Sequence, residues 1–318
     1  MNIRLFFSFM ILSFMSTPAF ALNILISNDD GLTSNVRALY EALKAEGHDV
    51  IVSVPCVDQS GMGAALRFRI PLAPLASGCR NEAAHIGDPG AGPMTRTGFS
   101  PDYHYVDGAP VMATLYGIDV LAARRWGGNP DLVLSGPNEG QNAGPVILIS
   151  DTVSNAQIAA LRGIPAIALS GGMDTADDDE LANPKSWQIA GLAVKLVQRL
   201  ERGASNGRLL PKGMALNVNF PDDLSEAAWQ ASRIGDYSAS SLRFVDDLSQ
   251  DSIAKPVPDR DNGLPGVAVL SNMAPPSKDQ MRDEAVIYRT KIAISVMRAG
   301  YEDNNISQNW LNDIVSGL

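Results

Sequence analysis

Two adjacent carboxylates, Asp29 and Asp30, come directly after an apolar run and are followed by Gly31. The run, LNILI at 22–26, is partly β-branched and predicts a buried strand of a parallel sheet. Ligands of open α/β sheets bind outside the carboxyl ends of the strands, where this pair would lie. Because neighbouring carboxylates repel each other without a cation between them, the pair predicts a cation site or, more simply, the cap of the next helix.

Two further side chains with oxygen ligands follow apolar runs. Ser60 lies in a turn-rich loop after the run at 50–54, and Asn138 follows the run at 131–134. Together with the two aspartates they form a hard oxygen set, which suits Mg²⁺ or Mn²⁺ and, more loosely, Ca²⁺. Taken singly, Ser60 or Asn138 could equally be a turn residue. Zinc is disfavoured because none of the three histidines forms a ligand-spaced pair.

The elements that would position these side chains alternate between strand and helix. Apolar runs and helical spacing predict, in chain order, strands at 22–26, 50–54, 131–134, 164–169 and 214–220, and helices at 34–46, 107–122, 152–161 and 187–202. Such alternation is typical of a mostly parallel, doubly wound α/β sheet. Residues 76–105 are rich in Gly and Pro and predict a long surface loop.

The pattern changes after about residue 222. Residues 246–282 are polar and rich in proline, which predicts an extended arm, and the alternation at 286–297 predicts a long antiparallel strand. A short helix is predicted at 310–318. We expect 22–318 to form one domain, with 222–318 as its extension.

The first 21 residues have the features of a secretory signal peptide. Arg4 precedes an apolar core at 5–15, and Ala19-Phe20-Ala21 matches an A-x-A cleavage site. The core is too short to span a bilayer, and no cysteine lies near the cut to suggest a lipoprotein. We therefore expect cleavage, a periplasmic or secreted location, and no membrane partner afterwards.

The negative charge of the chain excludes some classes of binding partner. The formal net charge of −10 and the pI near 4.8 argue against nucleic acid or an anionic membrane as a partner, since both require a basic surface.

The two cysteines, Cys56 and Cys79, are expected to pair after export. A disulfide that closes the loop between these two cysteines would stabilise the fold by on the order of 3 kcal/mol.

Five motifs occur in one order along the chain, four of them at or near the ends of predicted strands. They are Asn28-Asp29-Asp30-Gly31, Gln59-Ser60-Gly61, Tyr105-Val106-Asp107-Gly108-Ala109-Pro110, Ser135-Gly136-Pro137-Asn138-Glu139-Gly140 and Leu216-Asn217-Val218-Asn219-Phe220-Pro221. Together they resemble the SurE family of 5'-nucleotidases, from about Leu22 to Gly300. The resemblance implies a three-layer α/β/α, Rossmann-like core with a C-terminal antiparallel extension that is exchanged between the subunits of a dimer or tetramer.

The same resemblance implies a function. It points to a metal-dependent phosphomonoesterase that hydrolyses nucleoside 5'-monophosphates or related phosphate esters. One divalent cation per subunit would be held by Asp29, Asp30, Ser60 and Asn138, with the two aspartates as the catalytic residues. Further contacts to the phosphate are expected from Asn28, Gly61, Asn142, Ser150 and Thr152.

The chain departs from the family pattern at positions that matter for phosphate. Asp151 replaces the glycine of the usual Ser-Gly-Thr, and Val57 and Gln59 stand where the family has arginines. A carboxylate there could repel the substrate or recruit a second cation. Two alternatives therefore stay open: a non-catalytic protein that retains the metal, and a hydrolase for polyphosphate or other esters on the same scaffold.

Overall fold

The computed structural model describes residues 21–176, 178, 180–205, 207–250, 263–300 and 315. All but Ala21 of the expected signal peptide, and all but Val315 of the helix predicted at 310–318, lie outside the described residues. Among the described residues, no helix is both long and apolar enough to cross a bilayer.

Strands and helices alternate as predicted over the first two thirds of the chain. The elements are β1 (Asn23–Ser27), α1 (Ser34–Ala45), β2 (Asp49–Pro55), β3 (Ala91–Pro93), β4 (Tyr103–Val106), α2 (Pro110–Tyr116), a π-helical stretch (Gly117–Ala122), α3 (Ala123–Trp126), β5 (Leu132–Glu139), α4 (Asp151–Leu161), β6 (Ala166–Gly171), α5 (Pro184–Gly203) and β7 (Met214–Asn219). The chain then continues through β8 (Trp229–Ser232), β9 (Ser240–Val245), β10 (Gly266–Ser271), α6 (Glu284–Ile287) and β11 (Ile292–Arg298).

Nine strands form one sheet in the order β3-β4-β2-β1-β5-β6-β7-β11-β8. Neighbouring strands from β4 to β7 are parallel, whereas β3 pairs antiparallel with β4 and β11 pairs antiparallel with β7. The α1 and α5 side chains pack into one core on one face, and those of α4 pack into a second core on the other. This arrangement is the predicted three-layer α/β/α fold with an antiparallel C-terminal extension.

Two predicted elements differ from the structure. The loop predicted at 76–105 contains β3 and β4, because Tyr103 and Tyr105 are buried in the sheet and β4 pairs with β2. The strand predicted at 286–297 begins at Ile292, because residues 284–287 form the short helix α6. Within the predicted arm, β10 pairs antiparallel with β9 in a separate two-stranded sheet.

The predicted disulfide is confirmed. Cys56 and Cys79 are bonded, with an S–S distance of 1.99 Å and Cα atoms 4.7 Å apart. Because Cys56 directly follows β2, the bond brings the 79–82 segment to the carboxyl edge of the parallel sheet.

Candidate metal centre

The two aspartates lie where the strand order reverses. β1 pairs with β2 on one side and β5 on the other, and α1 and α4 cover opposite faces of the sheet. Such a switch point leaves a crevice at the carboxyl ends of the strands. Asp29 and Asp30 follow β1 directly, and Asn138 lies near the end of β5, so both strands bring the predicted oxygen ligands to this crevice.

A tight turn ends β1 and directs the chain into α1. Gly31 has φ +84°, and a Cβ there would lie 3.2 Å from the Pro55 carbonyl oxygen, so a larger residue would be strained. The Asn28 side chain accepts a hydrogen bond from the Gly31 N–H (3.2 Å) and donates one to the Gly31 carbonyl (2.8 Å). Asn28 therefore holds the turn in this structure, and its predicted contact with phosphate stays a prediction.

Both aspartates are buried, and each uses one carboxylate oxygen in a defined hydrogen bond. Asp29 Oδ1 accepts from the Thr152 hydroxyl at 2.7 Å, and Asp30 Oδ2 accepts from the Glu139 N–H at 3.1 Å. Burial raises the pKa of Asp29 to about 7, although the Thr152 hydrogen bond lowers it. Burial, followed by the charges of Asp29 and Glu139, raises the pKa of Asp30 well above its usual value. A bound cation would stabilise the charged form of both carboxylates, because it compensates their buried negative charge.

Asn138 is directed into the site by an irregularity of β5. The pairing with β6 shifts register between Ser135 and Asn138, a bulge that redirects side chains. This bulge requires a glycine at position 136. Gly136 has φ +105°, and a Cβ there would lie 2.2 Å from the Leu169 carbonyl oxygen. The Asn138 amide nitrogen donates to the Gly140 carbonyl, while its buried Oδ1 has no hydrogen-bond partner among the described residues. This buried, unpartnered oxygen fits a metal ligand.

The loop that carries Ser60 lies against Asp29. The Gln59 N–H donates to the Asp29 carbonyl oxygen at 3.0 Å, which fixes the loop beside the carboxylates. Ser60 itself is exposed, and its hydroxyl donates to Asp58 Oδ1 at 2.7 Å. The hydroxyl oxygen can still accept or coordinate, so the predicted role of Ser60 as a metal ligand stays a prediction.

Asp151 occupies backbone amides that were expected to bind phosphate. Asp151 Oδ2 accepts from the Gly61 N–H at 2.9 Å, and the amides of Met62 and Gly63 also stabilise its charge. Burial nevertheless raises the pKa of Asp151 to about 6. Its Oδ1 is buried without a hydrogen-bond partner among the described residues. The structure thus places an internal anion on the Gly61–Gly63 amides.

The remaining predicted phosphate residues are joined to Asp29 by hydrogen bonds or begin the adjacent helix. Asn142 Nδ2 lies 3.3 Å from the Thr152 hydroxyl, which itself donates to Asp29. The Ser150 hydroxyl caps α4 by accepting from the Val153 N–H. The structure therefore brings Thr152 into contact with the Asp29 carboxylate and Asn142 into contact with Thr152, whereas Ser150 acts as the helix cap.

Two asparagines of β7 and a buried glutamate were assigned no role from the sequence. Asn217 and Asn219 donate through Nδ2 to the Asn142 carbonyl oxygen at 2.8 and 2.9 Å. Glu284, fully buried at the start of α6, accepts from the Gly144 N–H at 2.9 Å and from Asn217 at 3.1 Å. These bonds fix the loop that carries Asn142. The alternating Asn217-x-Asn219 in an apolar strand was the available signal, because buried amides need partners.

Glu284 gives the protein a predictable dependence of stability on pH. Burial raises the pKa of Glu284 to about 7, so the folded state binds more protons than the unfolded chain between about pH 4.5 and 7. This residue should therefore lower the free energy of unfolding by about 3 kcal/mol as the pH rises through that window. Between pH 4.5 and 8 in EDTA, the free energy of unfolding in urea should fall by about 3 kcal/mol more in the wild type than in Glu284→Gln. Equal losses in both proteins would contradict the assignment, since the other carboxylates titrate in both.

Comparison with known proteins shows the family and the fold of this chain. The family model "Survival protein SurE" matches residues 24–241. The crystal structure of the SurE protein from Aquifex aeolicus has the same fold, with a TM-score of 0.64 and 23% identity, and the match covers 91% of this chain and 99% of that one.

Curated relatives match a shorter part of the chain. An acid phosphatase from Yarrowia lipolytica is 36% identical over 210 residues, which are 62% of this chain and 56% of that protein. A 5'-nucleotidase SurE from Lawsonia intracellularis is 30% identical over 203 residues, and 5'-nucleotidase SurE 1 from Thermus thermophilus is 35% identical over 202. Each of these two matches covers 63% of this chain and 66% of the relative. The chain thus spans less than two thirds of these relatives, while the family model spans well over half of the chain. The chain belongs to the Survival protein SurE family.

Proposed function

We propose that this protein is a divalent-metal-dependent phosphomonoesterase that hydrolyses nucleoside 5'-monophosphates. The observation that carries the proposal is the buried pair Asp29 and Asp30 at the switch point of the sheet. Beside the pair lies Oδ1 of Asn138, which has no hydrogen-bond partner among the described residues. The names of the curated relatives, 5'-nucleotidase and acid phosphatase, support the choice of reaction.

The reaction replaces the ester bond to phosphorus with a bond to a water oxygen, releasing the nucleoside hydroxyl and inorganic phosphate. When bound, the cation supplies charge neutralisation at the phosphate and lowers the pKa of the attacking water. Asp29, Asp30, Asn138 and Ser60 would hold it. An aspartate of the pair would also orient the water and accept its proton.

Other residues of the chain orient these groups. The Thr152 hydroxyl fixes the rotation of the Asp29 carboxylate, and Asn142 contacts Thr152. The N-terminus of α4, which starts at Asp151, points a partial positive charge toward the site and favours a bound phosphate. Asn142 and Thr152 would contact the phosphate oxygens.

Removal of the metal tests the proposal directly. Phosphate release from a panel of nucleoside 5'-monophosphates should vanish in EDTA and return when Mg²⁺, Mn²⁺ or Ca²⁺ is restored. Manganese titration calorimetry of the EDTA-treated protein should show about one site per subunit. Full turnover in EDTA by a protein shown to be free of metal would refute the proposal.

Asp151 favours a second candidate, a protein that binds metal and ligand without turnover. Its carboxylate already occupies the Gly61 amide and would oppose a phosphate dianion. A folded protein that binds Mn²⁺ but releases no phosphate from any ester, polyphosphate included, would favour this candidate.

We also propose that the protein acts outside the cytoplasm as a homo-oligomer. The Cys56–Cys79 disulfide supports an oxidising compartment. Exposed apolar side chains in the β9–β10 region, including Phe244, Val267 and Met273, support burial against another subunit. Mass determination by light scattering of the purified protein tests the assembly, and a monomer at micromolar concentration would contradict it.

A further inference from the structure

Arg80 lies at the edge of the metal centre on a segment outside every strand of the sheet. Its Nη1 donates to the Asp30 carbonyl oxygen at 3.0 Å, and its Nη2 donates to Glu139 Oε2 at 2.8 Å. Asp30 and Glu139 are themselves linked, because the Glu139 N–H donates to Asp30 Oδ2. One guanidinium therefore connects the β1 end to the β5 end, next to Asn138.

The residue after Arg80 contacts the same turn. Asn81 Nδ2 donates to the Leu32 carbonyl oxygen at 2.9 Å, and the Asn81 carbonyl accepts from Arg96 at 2.6 Å. The Asn81 backbone is in the left-handed region, with φ +51°, which an asparagine tolerates better than most residues. Residues 79–81, called here the clasp, thus hold the turn after Asp30 at two backbone carbonyls.

The disulfide fixes the clasp to the sheet. Cys79 is bonded to Cys56, and the Arg80 N–H donates to the Cys56 carbonyl oxygen at 2.8 Å. The bond closes a loop with a sequence separation of 23 residues, which contains exposed turns around Ser60. Without the bond, ordering that loop would cost chain entropy before Arg80 could reach Asp30.

Arg80 also supplies positive charge to an acidic site. The Asp30 carboxylate lies near those of Asp29 and Glu139, and Asp151 lies near Asp29. The Arg80 side chain is largely shielded from water, which strengthens its bond to the Glu139 carboxylate. Arg80 therefore holds the Glu139 carboxylate in place by an ion pair.

We propose that Arg80 is a positioning residue of the metal centre, held in place by the Cys56–Cys79 disulfide. The inference rests on the proposed function. By fixing the Asp30 backbone and the Glu139 side chain, Arg80 sets the separation between the Asp30 and Asn138 ligands. Contacts of this kind, which orient the ligands of a metal, typically change metal affinity about 10- to 100-fold when removed.

The test compares Mn²⁺ binding and phosphate release in matched variants. Arg80→Gln should raise the dissociation constant for Mn²⁺ about tenfold. At saturating Mn²⁺ it should lower kcat less than it lowers metal affinity. Arg80→Lys should restore part of the affinity because a lysine can still donate a hydrogen bond to the Asp30 carbonyl oxygen or to Glu139. Arg162→Gln is the matched control. It removes an exposed arginine that pairs with Asp119 at the C-terminal end of α4, away from the site, and it should change neither the Mn²⁺ affinity nor kcat.

A double-mutant cycle tests the role of the disulfide. Cys56→Ser/Cys79→Ser should weaken Mn²⁺ binding to the same extent as Arg80→Gln, and the triple variant should show no further loss. Near-ultraviolet circular dichroism, recorded below each variant's melting temperature, confirms that the compared proteins are folded. Arg80→Gln leaves the disulfide intact, so it tests the arginine even where the cysteine variant fails to fold.

The outcomes separate this inference from the proposed function. Unchanged Mn²⁺ affinity in folded Arg80→Gln, with an active wild type, overturns the role of Arg80 alone. Full additivity of the arginine and cysteine variants overturns the dependence on the disulfide. A folded wild type that binds no divalent metal refutes the proposed function and this inference with it.

Discussion

Asp30→Asn should lower metal-dependent phosphate release by on the order of 10²–10³-fold and leave the fold intact. The substitution keeps the size of the side chain and an oxygen that can accept from the Glu139 N–H. It removes one of the two negative charges that would hold the cation, so metal affinity falls with the rate. Because the carboxyl is buried and its pKa is raised, the variant should also unfold at a higher temperature than the wild type in EDTA at pH 8.

Activity should fall while the unfolding temperature rises, and this combination excludes misfolding as the cause of the lost activity. Phosphate release with added Mn²⁺, Mn²⁺ titration calorimetry and thermal unfolding in EDTA measure them. Asp119→Asn, which neutralises an exposed carboxylate paired with Arg162, is the matched control and should change none of the three. Full activity of Asp30→Asn with unaltered metal affinity would remove Asp30 from the site.

Asp151→Asn should lower the KM for a nucleoside 5'-monophosphate about tenfold at pH 7.5, which corresponds to about 1.4 kcal/mol of removed repulsion. An asparagine oxygen still accepts from the Gly61 N–H, so the loop that carries Ser60 stays in place. The carboxylate that opposes the phosphate dianion is gone. Asp151→Gly would free the Gly61 amide, but it would leave the loop without that bond.

The pH dependence distinguishes loss of charge from a change of shape. Burial raises the pKa of Asp151 to about 6, so the wild-type side chain becomes neutral as the pH falls below that value. The KM of the wild type should approach that of Asp151→Asn between pH 7.5 and 5, whereas their ratio would stay constant if only shape mattered. Comparing the two proteins at each pH cancels the titration of the substrate. Turnover in Asp151→Asn alone, with an inactive wild type, would favour the non-catalytic candidate.

Local sequence patterns were sufficient to predict β1 and α1, the elements on either side of Asp29 and Asp30. The apolar run before Asp29 and the helical spacing after Gly31 predicted β1 and α1 within one or two residues of their observed bounds. Such signals succeed because burial on one face of a helix, or on both faces of a parallel strand, imposes its own period on the sequence. The disulfide was predictable for a different reason, since a chain with two cysteines has a single intramolecular pairing available.

Short strands in irregular surroundings were not predictable. β4 has four residues and follows a stretch rich in Gly and Pro, so no window of periodicity reveals it. It is a strand because Tyr103 and Tyr105 are buried beside β2. Similarly, α6 interrupts an alternating pattern where the buried Glu284 accepts the Gly144 N–H.

The sequence by itself determined the α/β alternation, the position of the aspartate pair at a strand end, and the single disulfide pairing available. Only the tertiary structure decided what surrounds that pair. The bond from Gly61 to Asp151 spans 90 residues, that from Arg80 to Glu139 spans 59, and that from Asn217 to Glu284 spans 67. Contacts at such separations depend on which strands become neighbours, and local periodicity carries no information about the partner of a given polar side chain.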